Sequence, residues 1–127
     1  MIDTRTKILT VEEAISRVAS LRAAGEKVRV AAALCDPMLP DHVSQLARLA
    51  GGAKLVLVIA APEDAYLPAR ARAELAASLA CADMVVLGES KAEEIVRMLG
   101  ADEILAIDQE ESARRSEFIR FVREKAG

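Results

Sequence analysis

The chain has 127 residues, with 17 basic against 20 acidic side chains, one His and two Cys. Hydrophobic residues at 53% fill a sizeable core and charged residues at 29% solvate its surface, which excludes intrinsic disorder. An aromatic content of 2% leaves no stacking platform for single-stranded nucleic acid, and a net charge of −3 gives no global pull towards phosphate backbones or anionic membranes.

Thr10-Val11-Glu12-Glu13 matches a capping box, and Val11, Ala14, Ile15, Val18 and Leu21 follow at helical spacing until Gly25. Val28 to Leu34 is a run of small apolar residues broken only by Arg29, the pattern of a strand buried on both faces. A loop with two prolines, Cys35 to Pro40, leads into a helix expected from Asp41 to Ala50, with Asp41 as its N-cap and Gly51-Gly52 as its end. Leu55 to Ala60 is the clearest buried strand. Pro62 to Pro68 reads as a loop and Ala69 to Ala80 as an Ala-rich helix. Met84 to Leu87 is a short strand, and Ser90-Lys91-Ala92-Glu93 forms a second capping box for a helix closed by Gly100. Glu103 to Ile107 is a further strand, and Ser112 to Lys125 a C-terminal helix.

Strands separated by helices of this length imply right-handed crossovers. The expectation is one domain over residues 1–127: a Rossmann-like three-layer α/β/α fold with a mostly parallel sheet of four or five strands. Ligands of such sheets bind beyond the carboxyl ends of the strands, where strand order reverses, so a site is expected at Cys35 to His42.

No stretch reaches the roughly 18 apolar residues that cross a bilayer. Met1-Ile2-Asp3-Thr4-Arg5 lacks the basic-then-apolar order of a signal peptide. A cytoplasmic location is expected, with Cys35 and Cys81 as reduced core thiols; a disulfide between them is the alternative. A single His and no CxxC spacing leave a structural zinc without a ligand set.

AALCDPMLPDHVSQLARLA (32–50) resembles the opening of the cytidylyltransferase-like nucleotidyltransferases, of the heptose-phosphate adenylyltransferase and glycerol-3-phosphate cytidylyltransferase type. In that family a strand ends in Gly-Cys-Phe-Asp, and His-x-Gly-His follows after two residues at a helix start. The two His hold the nucleotide phosphates while a substrate phosphate or hydroxyl attacks the α-phosphorus. KLVLVIAAPED (54–64) is similar to the family's second strand and loop, and 70–87 to its Arg-x-x-x-Leu helix and following strand. LGADEILAIDQ (99–109) is similar to the next strand, so the resemblance runs over roughly residues 8–123.

Aligned on Asp36, the family's Gly-Cys-Phe becomes Ala33-Leu34-Cys35. The first His becomes Leu39, the next residue Pro40 and the Gly Asp41; only the second His is kept, as His42. The family's Lys after the second strand is missing from Pro62 to Pro68, where Glu63 and Asp64 stand instead. Its late Ser-Thr-Thr helix start is represented by Ser112-Ala113-Arg114-Arg115-Ser116 without the Thr pair. The resemblance thus implies a vestigial nucleotide site at Leu34, Cys35, Asp36, His42, Arg114 and Ser116, with no catalytic residue. Each has a plainer reading: His42 as a helix-start residue, Asp36 as a turn residue beside Pro37, Arg114 as part of a solvated helix face, Cys35 as a core or rim thiol.

The functional expectation is a degenerate nucleotidyltransferase-like domain without a cofactor, acting as a binding or interaction module, as a homodimer or with a protein partner. Phe118, Ile119, Phe121 and Val122, fringed by Arg115, Arg120 and Arg123, are of the types enriched in interface cores. The alternative is a divergent enzyme transferring AMP or CMP from ATP or CTP with Mg²⁺ to a sugar phosphate or glycerol-3-phosphate. A different small-molecule function on the same scaffold is a third reading.

Overall fold

Five short strands alternate with four helices, and the computed structural model describes them over residues 3–33, 35, 40–60, 67–89 and 91–106. A 3₁₀ turn (Thr4–Lys7) leads into β1 (Ile8–Leu9), α1 (Val11–Ala23), β2 (Val28–Ala33) and α2 (Pro40–Ala50). Then follow β3 (Lys54–Ala60), α3 (Ala69–Ala77), β4 (Met84–Glu89), α4 (Ala92–Met98) and β5 (Glu103–Ala106). The strands form one sheet in the order β1-β4-β3-β2-β5, and every pairing is parallel. The expected Rossmann-like α/β architecture is the one observed.

The capping box at α1 forms as the sequence suggests: the Glu13 amide donates to Thr10 Oγ1, and the Thr10 amide donates to Glu13 Oε1, each at 3.2 Å. The expected second box lies partly outside the described residues, at Ser90. α4 starts at Ala92 with Lys91 at its N-cap and no side-chain cap bond from Lys91. The 3₁₀ turn and β1 are additions to the sequence reading. β1 pairs Ile8 with Val85 and Leu9 with Val86 at the edge of the sheet. α3 stops three residues short of Ala80, with Ser78 at its C-cap donating from its hydroxyl to the Leu75 carbonyl at 2.6 Å. The expected helix over 112–125 lies outside the described residues.

Alternation along the strands divides the core in two. Ala31, Ala33, Leu55, Leu57 and Ile59 face α2 and α3, packing with Leu46, Ala50, Ala73, Ala76 and Ala77. Val28, Val30, Val56 and Val58 face α1 and α4, packing with Ala14, Val18, Ile95 and Val96. The many alanines matter here, because small side chains on sheet and helix let the layers approach closely. β3 is buried through its five middle residues, which explains its unbroken apolar run.

Polar anchors gather at the amino ends of the strands. Asp83 Oδ2 accepts from the Leu55 amide at 2.9 Å, and Asp102 Oδ2 accepts from the Val28 amide at 2.8 Å. Arg29 donates from Nη1 to the Leu49 and Ala50 carbonyls at 2.6 and 3.2 Å, which closes the carboxyl end of α2 with a cation. Its Nε lies 3.3 Å from Glu103 Oε2, across the register that pairs Arg29 with Glu103. The lone charge in β2 is therefore a structural one.

Candidate functional site

From β2 the chain steps through α2 to β3 and through α3 to β4, always in one direction across the sheet. From β4 it returns over α4 and places β5 on the other side of β2. Strand order therefore reverses between β2 and β5, and the crevice beyond their carboxyl ends is the place where such a fold takes ligands. The chain that leaves β2 at this reversal is the stretch singled out from sequence.

Two of the sequence-predicted residues fall within the described part. Cys35 is fully buried and belongs to the core on the α2 and α3 side. Its φ of 52° is the left-handed conformation, which costs a residue other than Gly about 1–2 kcal/mol. A left-handed position just after β2 is thus occupied by a buried thiol, not by a glycine. His42 is the third residue of α2, with its side chain outside the described part. Leu34, Asp36, Arg114 and Ser116 lie outside the described residues, as do Leu39, Glu63 and Asp64.

The start of α2 differs from the sequence reading by one residue. The helix begins at Pro40, so Asp41 is inside the first turn and is not the N-cap. Proline suits a first helical position, because its fixed φ is preorganised and the missing N–H would have no partner within the helix. The same substitution removes one of the free amides that a helix start offers to an anion.

Cys35 and Cys81 are both thiols and share no disulfide. Cys35 follows the end of β2, whereas Cys81 precedes the start of β4. By strand register these points lie on the order of 20 Å apart at about 3.3 Å per residue, far beyond the reach of a disulfide. Burial pushes the Cys81 thiol above its ordinary range.

One residue at the carboxyl end was not singled out from sequence. Arg72 in α3 is 2% exposed and donates from Nη1 to the Ala60 carbonyl and from Nε to the Leu67 carbonyl, the latter at 3.1 Å. The sequence does not separate it from Arg70: the structure buries Arg72 on one helix stripe with Ala73, Ala76 and Ala77, whereas Arg70 pairs with Glu74 on the exposed face. A groove of ≈ 360 Å³ runs past the carboxyl ends of β1 and β4, at the sheet edge away from the reversal. Among the described residues no group of three or more His, Cys, Asp or Glu is placed to hold a metal ion. Nor is any described helix long and apolar enough to cross a membrane.

No protein-family model matches the chain, and no curated protein matches it.

Proposed function

We propose that the chain is a nucleotidyltransferase-like domain whose catalytic motif has degenerated, and that it serves as a binding or interaction module. The observation that carries this reading is the start of α2. It follows β2, the strand at the reversal of strand order, and opens on Pro40-Asp41-His42. A phosphate seated at a helix start needs amide donors, positive charge and close backbone approach. Pro40 supplies no donor, and Asp41 brings a carboxylate where the resembled family has Gly. Loss of one positioned donor commonly costs about 10²–10³ in rate. Here a His, a Gly and a Lys of the family pattern are replaced together, and even without additivity little transfer remains.

His42 in the first turn of α2 favours the second reading, a divergent enzyme that transfers AMP or CMP to a sugar phosphate or glycerol-3-phosphate with Mg²⁺. Calorimetric titration with ATP and with CTP, each with Mg²⁺, separates the two. The degenerate module binds neither nucleotide more tightly than about 1 mM, where the binding free energy is only about −4 kcal/mol. Micromolar affinity for either nucleotide supports the enzyme instead.

A further inference from the structure

Arg72 is the one buried charged residue among the described residues. A guanidinium withdrawn from water must place its N–H donors on acceptors, and its planar fork fixes where those acceptors lie. Two of the acceptors here are main-chain carbonyls on either side of one connection. Ala60 is the last residue of β3, and Leu67 stands two residues before the start of α3. The Arg72 amide closes the same corner by donating to the Pro68 carbonyl at 3.1 Å. β3 is the immediate neighbour of β2, with Ile59 in register with Ala33, so this corner borders the carboxyl-end crevice.

We propose that Arg72 is a positioning residue for the rim of the candidate site. Its fork ties the exit of β3 to the entry of α3, so that the rim is fixed before any ligand arrives. The inference rests on reading the carboxyl-end crevice as the functional site. A lysine at this position keeps the charge but has no rigid fork to hold two carbonyls in one geometry. Arg70, two residues earlier on the same helix, is the internal control: it is exposed and paired with Glu74 at 3.4 Å.

Amide hydrogen exchange on the full chain tests the proposal without any ligand, so its outcome is independent of the nucleotide titrations. Arg72→Lys is expected to speed exchange at least tenfold at Ile59, Ala60 and Ala73, while Val30 and Val56 in the strand interiors keep their wild-type rates. Arg70→Lys is expected to change none of these. Uniform acceleration at all five amides would make Arg72 a general stabiliser only, and unchanged rates at Ile59, Ala60 and Ala73 would remove the clamp; either result overturns the proposal. Should Arg72→Lys fail to fold, the wild-type protein decides: the Arg72 Nε–H must exchange far more slowly than that of Arg70, and equal rates overturn the proposal.

Discussion

A carboxylate one residue before a strand does the same work at two places in this fold. Asp83 precedes β4 and holds the first buried amide of β3, and Asp102 precedes β5 and holds the first amide of β2. The Val28 amide, with Arg22 beside it, keeps the Asp102 carboxyl below its usual range. A carboxyl group with a lowered folded-state pKa stabilises above its unfolded pKa and loses that contribution as pH falls through the folded value. The relevant window therefore lies below the ordinary value of 3.8. Asp102→Asn is predicted to lose less stability than wild type between about pH 4 and pH 2 in urea unfolding, and identical pH dependence would contradict this. Asp3, Glu13 and Glu103 are also held low, so part of the acid sensitivity persists in the variant. Gly51 gives a second check. Its φ is +50°, and an added Cβ would stand 2.8 Å from Arg29 Nη1. Gly51→Ala is expected to cost about 1–2 kcal/mol from the backbone alone, read as a lower urea midpoint.

The elements show which signals a sequence carries. α1, β2 and β3 were legible because periodicity, caps and buried runs agree over six residues or more, whereas β4 is expected only as Met84 to Leu87 and runs two residues further, to Glu89. β1 was not legible, since two residues are too few for any period and its pairing with β4 is a tertiary event. Arg72 looked like Arg70 because the composition of an Ala-rich helix does not say which face is covered. β4 carries a constraint of the same tertiary kind at Gly88. A Cβ there would lie 2.7 Å from Val58 Cγ1 and 3.0 Å from both Cα and Cβ of Ala92, where α4 begins. Gly88→Ala is predicted to destabilise by about 1–3 kcal/mol through overpacking, measured by urea denaturation. At the start of α2 the sequence places the helix correctly but takes Asp41 as its N-cap, whereas Asp41 is the second helical residue, because Pro40 reads as loop. Introducing the resembled family's pattern by Leu39→His, Pro40→Ala and Asp41→Gly together adds an amide donor and removes a carboxylate. Calorimetry is expected to show higher affinity for ATP or CTP in that variant, and no gain would mean that the crevice itself is closed.

At the scale of the whole molecule, the parallel order β1-β4-β3-β2-β5 fixes where chemistry belongs before any side chain is considered. The fold was therefore largely readable from the spacing of strands and helices. The site was readable only as a place, because what fills it depends on a few residues after β2 that differ from the motif the sequence resembles. On the proposed reading as an interaction module, the chain is expected to self-associate, and light scattering at about 100 μM, where weak dimers populate, should give a dimer mass. A monomer mass at that concentration would remove the homodimer. The central claim is loss of nucleotidyl transfer, and pyrophosphate release measures it most directly. With ATP or CTP, Mg²⁺ and either a sugar phosphate or glycerol-3-phosphate, the account predicts release at background in both wild type and His42→Ala; release above background that disappears in His42→Ala would contradict it.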